Sequence, residues 1–70
     1  MDDYLANLFE KLKSNKDANT YVEIGYCYLT GRHTTKNEQN AMYYFQEAAN
    51  MGDAKGEFWV GFLYYRGTGV

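Results

Sequence analysis

The apolar residues of this chain recur at the spacing of amphipathic helices. In the first segment they fall at i, i+1, i+4, i+5 and i+8, at Tyr4, Leu5, Leu8, Phe9 and Leu12. A later segment carries a second stripe, at Ala41, Tyr44, Phe45, Ala48 and Ala49. The sequence has no proline to interrupt these stripes. The pattern predicts an all-α chain of about four helices.

Capping residues stand where these helices should begin and end. Asp17, Asn37 and Asp53 are expected N-caps, and Asp2 or Asp3 can begin the first helix. Glycines follow the other ends, at Gly31, Gly52 and Gly67. We therefore expect a second helix from Ala18 to about Thr30 and a fourth from Ala54 to about Arg66. The short polar connections between helices predict antiparallel neighbours.

The chain nearly repeats itself 36 positions further along. Asp17, Ala18, Gly25, Tyr28 and Gly31 recur as Asp53, Ala54, Gly61, Tyr64 and Gly67. A fixed period in this range is typical of stacked repeats. Glycine inside a helix costs about 1 kcal/mol relative to alanine. The shared register of Gly25 and Gly61 therefore predicts close backbone approach at both, with Tyr28 and Tyr64 packed over a neighbouring helix.

This combination of residues resembles the Sel1-like repeat family, which belongs to the tetratricopeptide-like helical arrays. The resemblance implies an α-α superhelix, or solenoid, of antiparallel helix hairpins. Residues 17–52 would form a full repeat, residues 53–70 the first helix and turn of the next, and residues 2–15 the second helix of a divergent preceding unit.

The sequence departs from the family pattern at two places. Leu12 and Lys13 stand where the family has paired alanines, and Lys16 replaces a glycine. After Gly31 the family's turn should continue, but His33 and Thr34 occupy those positions. We therefore expect the first loop to have a different shape.

The resemblance also implies a scaffold that binds a protein or peptide along the concave face lined by the first helix of each unit. The candidate contact residues on that face are Glu23, Tyr26, Lys55, Trp59, Phe62 and Arg66. Trp and Arg are enriched in interface hot spots. The alternative is that Trp59 and Phe62 cover the end of the array or pack in its core.

The last predicted helix is apolar nearly all round, whereas terminal repeats usually carry a polar capping face. Either the chain is part of a longer array, or a second copy covers this face. The second interpretation predicts a homodimer, or an exchange of elements, through the helix at 54–66.

Composition excludes several other classes of partner. The net charge is −2 and the basic residues are scattered, which argues against a nucleic-acid partner. Their one cluster, Lys11, Lys13 and Lys16, lies where cations complement the dipole of the first helix. No stretch approaches a membrane span, and the N-terminus lacks the features of a signal peptide. We expect no membrane partner, and a single cysteine is compatible with a reducing compartment such as the cytoplasm.

The sequence offers no constellation of catalytic or metal-binding residues. His33 is the only histidine and Cys27 the only cysteine, whereas a zinc site usually needs three or four ligands. We expect His33 to be a solvated loop residue and Cys27 to be a buried, inert thiol. The cysteine-rich relatives linked to β-lactam binding have paired cysteines, which are missing here. We therefore expect neither an enzyme nor a bound cofactor.

Overall fold

The computed structural model describes residues 3–67, which form four α-helices. These are α1 (Asp3–Ser14), α2 (Ala18–Thr30), α3 (Glu38–Asn50) and α4 (Ala54–Arg66). Consecutive helices pack as antiparallel pairs, and α2 also touches α4 directly. The prediction of an all-α helical repeat is confirmed.

The predicted N-caps act as expected. The side chains of Asp17, Asn37 and Asp53 each accept a hydrogen bond from a backbone N–H two or three residues further on, at 2.8 to 3.3 Å. These bonds satisfy N–H groups that have no partner within the helix. Asp3 is the first helical residue of α1, and Asp2 lies outside the described residues.

Glycines in the left-handed conformation follow three helices. Gly31 and Gly67 end α2 and α4 with φ angles of 77° and 70°. At the end of α3 the cap is Met51, and Gly52 comes one residue later with a φ of 82°. The Gly52 N–H donates to the carbonyl of Ala49 at 2.8 Å, as in a Schellman turn.

Two clusters of buried side chains form the core, with α2 between them. The first cluster joins α2 to α3 and α4 and comprises Val22, Ala41, Met42, Phe45, Ala48 and Leu63. The second joins α1 to α2 and comprises Leu5, Leu8, Ile24 and Cys27. Helix α2 thus contributes to both clusters. The prediction that Cys27 is buried is confirmed.

The α3–α4 crossing is closer than sequence patterns suggested, because of Gly56. A Cβ atom at Gly56 would lie 2.6 Å from the backbone nitrogen of Ala49. One period earlier the counterparts of Gly56 and Ala49 are Thr20 and Lys13. Thr20 is fully buried, and its hydroxyl has no hydrogen-bond partner within residues 3–67. The close contact made by Gly56 is therefore not repeated by the same residue types one period earlier, where the family resemblance is weakest.

The predicted close approach is confirmed at Gly25 and wrong at Gly61. A Cβ atom at Gly25 would lie 2.7 Å from ring carbon Cε1 of Phe45. At Gly61, among residues 3–67 and apart from its chain neighbours and its own helix backbone, no atom lies within 4 Å of such a Cβ, and the residue is exposed. The physical reason is that α3 packs over Gly25, whereas no described residue lies on the corresponding side of α4.

Tyr28 and Tyr64 differ in the same way as Gly25 and Gly61, since only the first of each pair packs against another helix. The ring of Tyr28 stacks on Tyr44 of α3, with 5.9 Å between centroids and 4° between planes. Tyr64 was expected to pack over a neighbouring helix in the same way, but it is exposed. That expectation is wrong for the same reason as at Gly61.

The loop between α2 and α3 holds a residue with unusual backbone geometry. His33 has a φ of 66°, which is rare for a residue other than glycine. Its ring is exposed, as predicted, and stacks on Tyr4 of α1 at a centroid distance of 4.3 Å. The turn that the sequence predicts after α4 includes residues 68–70, which lie outside the described residues.

Candidate functional site

Four of the predicted contact residues come together on one face of α2 and α4. The ring of Tyr26 lies edge-on to Trp59 at 6.0 Å, and Trp59 lies 5.6 Å from Phe62. The guanidinium carbon of Arg66 lies 5.5 Å from the centroid of Phe62, within the range of a cation–π contact. We call Tyr26, Trp59, Phe62 and Arg66 the aromatic surface.

Helix periodicity places the α4 members of the aromatic surface side by side. Trp59, Phe62 and Arg66 stand at i, i+3 and i+7, a spacing that puts side chains on one face. Tyr26 joins them from α2 because α2 and α4 touch. The surface therefore depends on the packing of two helices that are not consecutive in sequence.

Trp59 also belongs to the core packing. Its ring stacks on the buried ring of Phe45, with 5.5 Å between centroids and 16° between planes. Trp59 can therefore pack against the core and still offer an edge to a partner, so the two interpretations of this residue are compatible. Stacking on Phe45 restricts the indole of Trp59 before any partner binds, so less side-chain entropy is lost on binding.

The other two predicted contact residues engage neighbours away from these four. Glu23 accepts a hydrogen bond from the Asn19 side-chain amide at 3.2 Å, and the Tyr4 hydroxyl of α1 lies 3.5 Å from its carboxylate. Lys55 lies 4.0 Å from the carboxylate of Asp53 at the start of α4. Glu23 therefore contacts α1, and Lys55 lies beside Asp53, the N-cap of α4.

The charge of Arg66 is partly balanced by one carboxylate. Its Nη2 atom lies 3.7 Å from Oε2 of Glu38, which lies equally far from Nζ of Lys36. Exposed ion pairs of this kind contribute little stability. Glu38 therefore balances part of the charge of Arg66, and a cation remains at the edge of the aromatic surface.

A second surface of α4 is apolar and exposed. Its residues are Phe58, Gly61, Tyr64 and Tyr65, which we call the outer α4 face. Tyr65 is 90% exposed and Phe58 61% exposed. Exposed aromatic patches mark contact sites. The predicted contact residues did not include this face, although the apolar character of the last helix signalled it.

A cluster of tyrosines lies between α2 and α3. Tyr44 contacts Tyr28 at 5.9 Å, Tyr43 at 5.0 Å and Tyr21 at 6.3 Å between ring centroids. Burial raises the pKa of Tyr44 above its ordinary value of 10.0, and the neighbouring phenols raise it further. Tyr44 therefore resists ionisation, and the ring contacts of the cluster contribute to packing.

Residues 3–67 contain no group of three or more His, Cys, Asp or Glu side chains that could hold a metal ion. Within the same residues, none of the helices is long and apolar enough to cross a membrane.

Comparison with known proteins identifies the family of the chain. A model of the Sel1 repeat matches residues 19–53 and again residues 54–70. Neither the curated proteins nor the solved structures gave a match. Sel1 repeats are helical repeats that typically mediate protein interactions, and the scaffolds that they form are generally non-catalytic. Because the two matches cover most of its length, the chain belongs to the Sel1 repeat family.

Proposed function

We propose that this chain is a protein interaction module that binds a protein or peptide through the aromatic surface. One observation carries the proposal, which is that Tyr26, Trp59, Phe62 and Arg66 lie in continuous contact across α2 and α4. Aromatic residues and arginine are enriched at interfaces, and clustered residues of these types dominate binding energy.

The composition of the aromatic surface indicates the chemistry of its partner. An apolar side chain of the partner would pack on Phe62 and on the exposed edge of Trp59. A carboxylate beside it would pair with Arg66, because charge-assisted hydrogen bonds to guanidinium are strong and directional. The expected ligand is thus a segment with an apolar residue next to an acidic one.

The repeat units that frame this surface are part of the same proposal. We assign residues 17–52 to a full repeat, residues 53–70 to the first helix and turn of the next, and residues 2–15 to a divergent second helix. The two matched segments and the close α3–α4 crossing support this division. Tyr26 and Phe62 then occupy the same position in successive units.

Peptide selection on the purified chain tests the proposal. Peptides enriched from a random library are measured against the wild-type chain, Phe62→Asp and Arg66→Glu. We expect each substitution to weaken binding at least about tenfold, as at an interface hot spot. Trp59 is a poor test site, because its stacking on Phe45 means that truncation would also damage the core.

Tyr43→Ser is the matched control, because it removes an exposed aromatic ring from α3. This variant should keep the wild-type affinity. Peptides that bind Phe62→Asp and Arg66→Glu as tightly as the wild type would assign binding to another surface.

Self-association through the helix at 54–66 is a second candidate function, favoured by the exposure of Phe58 and Tyr65. A second copy could cover these rings in a symmetric pair. Sedimentation velocity over a dilution series should then show a dimer, and Tyr65→Glu should shift it to a monomer. A wild-type monomer at every concentration would remove this candidate.

A further inference from the structure

Arg66, at the edge of the aromatic surface, belongs to a group of three charged side chains. Oε2 of Glu38 lies 3.7 Å from Nη2 of Arg66 and 3.7 Å from Nζ of Lys36. The two cationic nitrogens are therefore at most twice that distance apart. One carboxylate can lie beside both cations, as that of Glu38 does. The group of three carries one positive charge in excess.

The two cations are more open to a ligand than the carboxylate between them. The side chains of Lys36 and Arg66 are 60% and 44% exposed, whereas that of Glu38 is 21% exposed. Both ion pairs are longer than a hydrogen bond, so the N–H groups of the two cations remain available as donors. An anion that approaches from solvent therefore meets the cations first.

Lys36 extends from a fixed position at the end of the loop between α2 and α3. The next residue, Asn37, donates its backbone N–H to the carbonyl of Tyr28 at 2.9 Å and caps α3. A Cβ atom at Gly31 would lie 3.3 Å from the Cβ of Lys36, so the base of the lysine side chain packs against the end of α2. These contacts hold the lysine on the same side as Arg66 before any ligand binds.

We propose that Lys36 and Arg66 together bind one carboxylate of the partner, and that Glu38 restricts this site to a single negative charge. The inference rests on the proposed function, because this carboxylate belongs to the acidic residue beside the apolar residue on Phe62. It adds Lys36 as a contact residue and gives Glu38 a role in selectivity.

The charges of the group explain this selectivity. With one carboxylate bound, two anions lie among two cations and the excess positive charge is balanced. Glu38 is the first residue of α3, where the helix dipole also favours a negative charge. A ligand with two negative charges, such as a phosphate monoester, would therefore be repelled by Glu38 as well as attracted by the cations.

The repeat pattern places this site at one end of the aromatic surface. One period before Arg66 stands Thr30, whose hydroxyl donates to the carbonyl of Tyr26 at 2.8 Å. The corresponding position of α2 therefore offers no cation. The acidic residue of the partner must lie near the C-terminal end of α4, which sets the register of the partner on the aromatic surface.

Three forms of one peptide test the proposal. A peptide selected on the wild-type chain is resynthesised with aspartate, asparagine or phosphoserine at its acidic position. Fluorescence anisotropy measures binding to the full chain at about pH 7.5, where phosphoserine carries close to two negative charges. The chain variants are Lys36→Gln and Glu38→Gln, which remove one charge each. Lys13→Gln is the matched control, because it removes an exposed lysine paired with a glutamate on α1.

We expect Lys36→Gln to weaken binding of the aspartate form about threefold to fivefold, the effect of one exposed ion pair. This difference should shrink as added salt screens the charges. The asparagine form should not distinguish Lys36→Gln from the wild type, and Lys13→Gln should keep the wild-type affinity for every form.

Glu38→Gln should reverse the choice between the two charged peptides. The wild type should bind the phosphoserine form no more tightly than the aspartate form. Glu38→Gln should bind the phosphoserine form at least about threefold more tightly than the aspartate form, because two cations then face the ligand without a competing carboxylate.

Failure of the proposed function and failure of this inference give different results. Binding that survives Phe62→Asp removes the aromatic surface and this site with it. Binding that is lost in Phe62→Asp but equal in Lys36→Gln and the wild type overturns only the inference, as do selected peptides without an acidic residue. A wild-type preference for the phosphoserine form, or an unchanged preference in Glu38→Gln, overturns the role of Glu38.

Discussion

Gly56 of α4 lies against the main chain of Ala49 so closely that a Cβ atom on the glycine would stand 2.6 Å from the Ala49 nitrogen. The backbone of α3 cannot yield as a flexible side chain would. We therefore expect Gly56→Ala to destabilise the chain by about 2 kcal/mol, although alanine favours a helix. Urea denaturation followed by circular dichroism measures the effect. Unchanged or increased stability would show that α3 and α4 do not meet at this point.

Gly25 and Gly61 provide a pair of substitutions with opposite expected signs. Gly25→Ala places a methyl group against the fully buried ring of Phe45 and should destabilise the chain by about 1 to 2 kcal/mol. Gly61→Ala meets no neighbouring helix in the described residues and should stabilise the chain by about 1 kcal/mol through helix propensity. The midpoints of urea denaturation, measured side by side, give both values. Effects of the same sign would contradict the asymmetry between the two helices.

Thr20 carries a fully buried hydroxyl that finds no hydrogen-bond partner in the described part of the chain. Thr20→Val keeps the shape of the side chain and removes the desolvation cost of that group, so it should stabilise the chain by about 1 kcal/mol. Thr30→Val is the matched control, because the exposed Thr30 hydroxyl donates to the carbonyl of Tyr26 at 2.8 Å. Thermal denaturation should separate the two variants. A loss of stability in Thr20→Val would show that the hydroxyl has a partner.

Tyr44 should make the chain sensitive to alkaline pH. Its folded pKa is raised above 10.0, first by burial and then by the phenols of Tyr28, Tyr43 and Tyr21. The unfolded chain therefore loses the proton more easily, and the contribution of Tyr44 to stability is complete below pH 10 and lost as the pH rises through the raised pKa. The stability of Tyr44→Phe should fall less steeply above pH 10.

Urea denaturation midpoints at a series of alkaline pH values test this difference in slope. Tyr65→Phe is the control, because it removes a phenol that is 90% exposed and is not among the neighbours that raise the pKa of Tyr44. If the stability of the wild type and of Tyr44→Phe fell equally steeply with pH, the raised pKa of Tyr44 in the folded chain would be contradicted.

Sequence reasoning predicted the local features of the fold well. Asp17, Asn37 and Asp53 act as caps because capping depends on bonds within a few residues. The prediction of close backbone approach at Gly61 was wrong, because a glycine allows such an approach only where another helix packs against it. Gly56 was missed because its counterpart is Thr20, so it is not among the residues that repeat.

The candidate site was predicted in part, for a related reason. Helix periodicity sufficed to group Trp59, Phe62 and Arg66. It could not show that Glu23 contacts Tyr4, because that contact depends on how α1 packs beside α2. Nor does any local signal reveal that the ring of His33 stacks on Tyr4 or that His33 has a positive φ.

Because α2 lies between the two buried clusters, neither can come apart without affecting the other. Val22 faces one and Ile24 the other, two positions apart on the same helix. In repeat proteins, stability is shared between nearest neighbours. Here α2 contributes to both clusters, and the ring of Phe9 in α1 also contacts Tyr44 in α3 at 5.9 Å between centroids. We therefore expect the two halves to unfold together.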